Sequence, residues 1–378
     1  MKGILTMPDN RFHFNNGKFK IMQIADAQEL PPGASPDTVR LIRMALAVEK
    51  PDLVIFTGDQ IYGIYPKLWS DRMVRRVLTE LLDAVAGTGV PFAVTFGNHD
   101  EECGIANATQ AETIYAGFPG YVRGERRDDS DPGTFRIPLY GADDKVLFDI
   151  FAFDTHGSTV CGTSGVNAGQ LAWFEAQREA ERASTGDAPP ALVFQHIAIP
   201  EYYRVVNRVN KGTPGAVEAF GSRKNTFYAL PDGLKAAGGF MKEAPSAAGA
   251  GQFEVMQKDG GVLAIAVGHD HNNSFKARYE GIDLIYTQGA GFHVYGPHLK
   301  RGVRVFVLDE GNPAEYTTYT RTWEDLTNDR PRQFILEYII SNTPSSIAQA
   351  KALAIRKLPY AAAGIGMIAL IAGIRKKR

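Results

Sequence analysis

Five short apolar runs in this chain each stop at residues able to bind a metal ion. The clearest is 53–56, Leu-Val-Ile-Phe, set between Pro51 and Gly58-Asp59. A continuous run rich in β-branched residues, bounded by turn formers, is the pattern of a strand buried on both faces. The others are 19–25 ending at Asp26, 91–96 ending at Asn98 and His99, 191–194 ending at His196, and 262–267 ending at His269 and His271. Such strands need helices packed against them. Helical spacing follows at 37–49 (Val39, Ile42, Met44, Ala45, Val48) and at 68–86 (Met73, Val77, Leu81, Leu82, Val85). Strand 19–25, helix 37–49 and strand 53–57 then form a βαβ unit with a right-handed crossover and a parallel pair. In open α/β sheets, chemistry gathers beyond the carboxyl ends of the strands, which is where these polar groups fall.

With 378 residues there is room for one large domain or two modest ones, and 44% apolar with 22% charged residues is ordinary for a chain with a real core. Lys plus Arg (41) nearly cancels Asp plus Glu (42), so no basic field exists to hold nucleic acid. Cys103 and Cys161 are far apart and make neither a CxxC nor a disulfide framework, which fits a reducing compartment. Residues 1–19 have no apolar core, so no signal peptide is expected and a cytoplasmic location follows.

The remaining segments read as supporting structure. A hairpin is expected at 135–140 and 146–153, with Asp154 and His156 beyond its second strand, and a helix at 170–182. The stretch 203–252 has little periodicity and reads as an insertion near the site. Strands at 282–287, 303–308 and 316–321 are expected to close a second sheet. The tail differs in character: 360–374 is an uncharged run of Tyr, Ala, Gly, Ile, Leu and Met, followed by Arg375 to Arg378. As a helix that run spans ~22 Å, short of a hydrocarbon core of ~30 Å. A helix packed on the domain or lying on a membrane surface, a short anchor lengthened by snorkelling basic residues, and an unstructured tail all suit it. Leu358-Pro359 faintly echoes a cell-wall sorting motif, but Ala361 stands where that motif has Thr.

A lone Asp after a strand is commonly a cap, and a lone His is commonly a satisfied structural residue. Five such accidents on one edge of a sheet are improbable. Oxygen and imidazole donors without cysteine suit zinc, manganese, iron and similar ions. A carboxylate can bridge two metals, and paired metals ~3.5–4 Å apart suit phosphate ester hydrolysis. They hold phosphoryl oxygens and lower the pKa of a bound water. A nearby unligated histidine can protonate the leaving group.

Asp26-x-Gln28, Gly58-Asp59-x-x-Tyr62, Gly97-Asn98-His99-Asp100, Val193-x-x-His196 and Gly268-His269-x-His271 resemble, in order and spacing, the five metal motifs of the calcineurin-like metallophosphoesterases. The likeness spans about 18–310, and Glu201 and Asn273 resemble the purple acid phosphatase-like branch. It implies an α/β fold: a four-layer αββα sandwich with two mixed β-sheets. It also implies an N-terminal extension at 1–17, a phosphoesterase domain at 18–322 with 203–252 inserted near the site, a linker or helical segment at 323–359, and the tail at 360–378. By the same resemblance, Asp26, Asp59 and His271 hold the first metal. Asp59, Asn98, His196 and His269 hold the second, with Asp59 bridging. His99 is the unligated catalytic histidine, and Asp100 supports it.

Position 28 departs from the family, which mostly has a metal-binding His there. Purple acid phosphatases also lack that His and use a tyrosinate at the spacing where Tyr62 stands. Iron(III) at a Tyr62 site is therefore one option. Binding through the Gln28 amide oxygen and weak occupancy of the first site are the others, and Tyr62 as a core aromatic stays open. The expected activity is a phosphomonoesterase using a metal-bound hydroxide with His99 assisting the leaving group. A phosphodiesterase of nucleotides or lipid head groups, and a non-catalytic metal-binding scaffold, are the alternatives. The substrate is a phosphate ester, for which His156, Tyr202 and Arg204 are candidate contacts. A membrane contact through 360–378 remains open, and nothing in the sequence sets the oligomeric state.

Overall fold

Alternation along the central strands decides the layering. In the Leu53–Thr57 strand, Leu53 and Ile55 face one core while Val54 and Phe56 face another. In Ala191–Gln195, Leu192 and Phe194 join the first of these cores, whereas Ala191 and Val193 face a third. Two sheets therefore pack face to face across a shared apolar layer, and each has its own helices on the outside. The result is the expected four-layer sandwich, seen in the computed structural model, which describes residues 11–342 apart from 64–68, 159–161 and 250.

The five-stranded sheet runs Tyr316–Thr322, Gly302–Asp309, Lys18–Ile24, Leu53–Thr57, Phe92–Thr95, with the last three parallel. Its outer face is covered by helices Pro36–Glu49 and Asp71–Ala86. The first of these is started by Ser35, whose hydroxyl accepts from Asp37 N, with Pro36 in its first turn. The larger sheet is centred on the parallel neighbours Val146–Phe153, Ala191–Gln195, Val262–Val267 and Ile282–Tyr286. Helices Ala168–Thr185 and Gln252–Asp259 cover its outer face.

Three expectations need correcting. Ile282–Tyr286 belongs to the larger sheet, while Gly302–Asp309 and Tyr316–Thr322 join the smaller one through Lys18–Ile24. Pairing of this kind is non-local, and a strand's own pattern does not choose its sheet. Asn273–Tyr279, read only as the end of a motif, is a strand antiparallel to Ile282–Tyr286. The stretch 203–252 is more ordered than its composition suggested. It contains a three-stranded antiparallel sheet (Asn207–Val209, Phe227–Ala229, Val217–Glu218), and Phe240–Met241 extends the larger sheet. At the other end, Phe12 and His13 pair in parallel with Leu139 and Tyr140. Helix Phe334–Asn342 closes the described part. Residues 343–359 and the tail 360–378 lie outside it, as does Cys161. Among the described residues, no helix is long and apolar enough to cross a membrane.

Candidate metal centre

Both sheets contribute to one site at the carboxyl ends of their strands. The smaller sheet supplies Asp26, Asp59 and Asn98, and the larger supplies His196, His269 and His271. The turns that present them are tight. Asp26, Gln28, Asp59 and His269 all have φ between 38° and 69°, the left-handed region that non-glycine residues rarely enter. Held conformations of this kind cluster at functional sites. Gly97 is required by close approach: a Cβ there would run into the Asp59 carboxylate and backbone.

Asp59, His196 and His269 converge with one ligand atom each, all within 4.8 Å of one another. His196 Nε2 lies 3.2 Å from Asp59 Oδ2, 3.2 Å from Asn98 Oδ1 and 3.2 Å from His269 Nδ1. These four residues are those assigned by resemblance to the second metal. The His196 Nδ1–H donates to Thr57 O at 2.9 Å, so Nε2 is the nitrogen turned into the site and would offer its lone pair to a cation there. On the other side, His271 Nε2 lies 3.4 Å from Asp26 Oδ1, and His271 Nδ1–H donates to Tyr295 O at 2.8 Å. Asp26 Oδ2 accepts from His269 N, whereas Oδ1 is buried with no hydrogen-bond partner. An orphaned carboxylate oxygen facing imidazoles is costly unless something cationic meets it. The donor set and this orphan fit a metal centre.

The electrostatics agree. Burial resists charge on Asp59, but the imidazoles of His196, His99 and His269 prevail and hold its carboxyl well below the usual range. Burial and the His196 charge push His269 down to about 3, leaving it a neutral donor of a lone pair. Burial opposes charge on His196 as well, yet Asp59 outweighs it and takes the imidazole up to about 10. Without a cation, a proton shared between these groups balances the Asp59 carboxylate.

Gln28 stands at the site: its Nε2 donates to Asp59 Oδ2 at 2.6 Å. The Tyr62 ring packs edge-on against His99, with centroids 4.7 Å apart. His99 N donates to Asp59 Oδ1 at 2.9 Å, and its Nε2 lies 3.9 Å from Asp59 Oδ2.

Asp100 does not touch the His99 ring. Its two oxygens accept from the backbone N–H groups of Gly97, Asp59, Gln60 and Ile61, at 2.8 to 3.3 Å. A carboxylate committed to four backbone donors on two loops ties those loops together and has nothing left for an imidazole. Burial and the Asp59 charge push it up to about 8, against the pull of those donors. The partner of His99 is Glu102, whose Oε2 lies 2.6 Å from Nδ1. Burial works against charge on His99, but Asp59 and Glu102 prevail and raise its pKa.

Tyr202 is removed from the candidate substrate contacts. It is wholly buried, with its hydroxyl donating to Ile265 O at 2.7 Å and accepting from Ile285 N at 3.0 Å. Arg204 is exposed, and His156 is partly exposed beside Asp154, 3.3 Å from its Oδ1. Three supporting residues escaped the sequence reading: Glu102, Tyr295 and Glu243. Tyr295 stacks on His271 with centroids 4.3 Å apart and planes at 6°, and Glu243 accepts the Tyr295 hydroxyl at 3.0 Å. Glu102 was adjacent to a recognised motif and could have been found; nothing in the local sequence marks Tyr295.

The model of the calcineurin-like phosphoesterase family matches residues 19–273. Probable inactive purple acid phosphatase 28 of Arabidopsis thaliana is 26% identical over 82% of this chain and 79% of its own. Phosphatase DCR2 of Saccharomyces cerevisiae is also 26% identical, over 88% of this chain and 58% of its own. A solved dimetal phosphatase from Danio rerio shares the fold with a TM-score of 0.50, at 14% identity over 80% of this chain and 98% of its own.

Proposed function

The chain belongs to the calcineurin-like phosphoesterase family, a family of phosphoric ester hydrolases, and on that premise we propose that it is a dimetal phosphomonoesterase. The observation that carries this is the convergence of Asp59, His196 and His269, with Asn98 beside them. Asp59, Asn98, His196 and His269 would hold one cation. Asp26, Asp59 and His271 would hold the other, with Asp59 shared. When bound, the cations supply positive charge for the phosphoryl oxygens and acidify a coordinated water. The chain's own residues do the rest. The backbone clamp of Asp100 keeps Asp59 and Gly97 in register. Glu102 occupies Nδ1 of His99, so the proton for the leaving oxygen is held at Nε2 and passes from there to the departing alkoxide.

The test is hydrolysis of p-nitrophenyl phosphate by the full chain supplied with manganese or iron. Asp59→Asn and His99→Ala are each expected to reduce kcat/KM by at least ~100-fold. Substitutions that match wild type would end the enzyme reading and leave a metal-binding scaffold, in line with the Arabidopsis relative, a probable inactive phosphatase. Faster turnover of bis-p-nitrophenyl phosphate would instead make it a diesterase.

The first site is completed by Tyr62 in this proposal. A phenolate is a hard anionic ligand that favours iron(III), and position 28 offers an amide in place of the usual imidazole. Oxidised, iron-loaded protein is expected to show a visible tyrosinate-to-iron band that Tyr62→Phe removes. A colourless, active enzyme indifferent to Tyr62→Phe would end the Tyr62 assignment and leave Gln28 as a ligand or a weakly occupied first site.

A further inference from the structure

The insertion that follows His196 is basic in an acidic body. Residues 343–378 hold seven of the 41 Lys and Arg and none of the 42 Asp and Glu, so residues 1–342 carry −8. Within them, 204–224 holds five Lys and Arg against one acid, Glu218. Glu218 is engaged, accepting from Asn225 N at 3.1 Å, and Arg204 has the Glu201 charge nearby. Arg208, Lys211, Arg223 and Lys224 are exposed, and among the described residues none of them pairs with a carboxylate. Elsewhere on the surface, cations such as Arg75, Arg76 and Arg123 pair with Asp71, Glu80 and Glu112.

Both ends of the insertion are fastened to the rim of the metal centre. It leaves the larger sheet through Pro200–Arg204, just after His196. It returns at Lys242, whose N–H donates to Asn272 O at 3.1 Å, and at Glu243, which accepts from Asn272 Nδ2 at 2.6 Å, beside His271. Between these ends, the Tyr203 ring packs on Tyr228 with centroids 4.7 Å apart and carries the Arg223 guanidinium 4.3 Å from its centre. Burial and then the charge of Asp270, the residue between His269 and His271, push the Tyr203 phenol up to about 12, against the pull of Arg223. Arg208 is the cross-strand partner of Tyr228, so its side chain rises on the same face of the small sheet as that ring. The two tyrosines thus lead from the metal ligands out to the cations.

A cationic surface beside a centre for phosphate esters meets the part of the substrate beyond the scissile phosphate. A small anion needs cations that converge in a pocket. Here they are spread: Arg208 on the strand Asn207–Val209, Lys211 in the turn after it, and Arg223 and Lys224 ahead of the strand Phe227–Ala229. A nucleic-acid strand or a bilayer is uniformly anionic and extends past the insertion onto the acidic body, where it is repelled. An acidic stretch of polypeptide is short enough to end where the insertion ends. We propose that the insertion docks acidic residues flanking a phosphorylated side chain, so that the substrate is a phosphoprotein with acidic sequence around its phosphate. This rests on the phosphomonoesterase reading above.

The test uses the full chain loaded with manganese. It compares p-nitrophenyl phosphate with two phosphoserine peptides, one flanked by glutamates and one by glutamines. The glutamate peptide is expected to have a ~10-fold higher kcat/KM than the glutamine peptide, through a lower KM, and the advantage is expected to shrink as salt rises. The double substitution Arg208→Glu with Lys224→Glu is expected to abolish that advantage. The variant should stay within ~2-fold of wild type on the glutamine peptide and on p-nitrophenyl phosphate, neither of which brings a carboxylate to the insertion. Both side chains are exposed, so the thermal midpoint should not change. Equal kcat/KM on the two peptides, or a glutamate advantage that the variant keeps, would overturn the proposal and leave the phosphomonoesterase reading in place. Stronger competition by oligouridylate or by phosphatidylserine vesicles than by the unphosphorylated glutamate peptide would give the surface to a nucleic acid or a membrane and overturn it too. No activity on p-nitrophenyl phosphate would end the reading beneath it, and the proposal with it.

Discussion

His99 keeps one ring nitrogen for Glu102 and the other for chemistry. The 2.6 Å contact at Nδ1 fixes the rotation of the ring and places a negative charge where it favours a proton on the imidazole. Glu102→Gln keeps a hydrogen-bonding group of the same shape but removes that charge. The expected outcome is a ~10-fold fall in kcat with KM little changed, and a larger fall on alkyl phosphates than on p-nitrophenyl phosphate. Alkoxides depend on the proton that His99 delivers; p-nitrophenolate barely needs it. An equal loss on both substrates would show that Glu102 merely supports the fold. Why Asp100 rather than Glu102 stood out in the sequence is plain. Asp100 is the motif residue adjacent to His99, but adjacency along the chain does not say where a carboxylate points. Just past Thr95 the chain turns sharply, sending the Asp100 oxygens back to four backbone N–H groups and leaving Glu102 on the ring side.

At the scale of elements, the strands were the readable part. A run such as 262–267 is apolar on both faces because it has cores on both sides, and that leaves a strong local mark. The helices were found, but their facing was only half right. Of the face expected for the first, Ile42 and Ala45 are buried, whereas Val48 is 60% exposed and the buried Leu41 and Leu46 were passed over. Glu49 explains part of this. It is buried at the end of that helix because Lys20, Tyr319 and Arg321 reach it from neighbouring strands. A polar residue satisfied by distant partners gives no sign in a periodicity count. In the second helix, Val77, Leu81, Leu82 and Val85 are buried as expected, while Met73, in the first turn, stands out into solvent. The insertion was misjudged for a similar reason: its strands of two or three residues are held by cross-strand pairing that short, mixed segments do not advertise.

On the scale of the whole molecule, the site is a seam. Asp26, Asp59 and Asn98 belong to one sheet and His196, His269 and His271 to the other, so a cation bound by Asp59 and His196 would join the two halves of the sandwich. Without it the seam still closes, because a protonated His196 lies against Asp59. The buried Asp26 Oδ1 remains unsatisfied in that state, while the hydrogen bonds from His196 Nδ1 to Thr57 O and from His269 N to Asp26 Oδ2 still cross the seam above the shared apolar layer. Binding only to the folded state adds stability by mass action, ~4 kcal/mol when free metal exceeds its dissociation constant 1,000-fold. At an unfolding entropy of ~2.1 cal/mol/K per residue, a chain of 378 residues gains ~1.3 °C for each kcal/mol. Removing metal with a chelator is therefore expected to lower the thermal midpoint by ~5 °C without abolishing folding, and adding back manganese or iron should restore it. Asp59→Asn should melt at one temperature with or without chelator, since the shared ligand is gone. A wild-type midpoint that ignores the chelator would mean that the two sheets do not depend on a cation at their seam. The assignment of Asp59 as a bridge between two metals would fall with it.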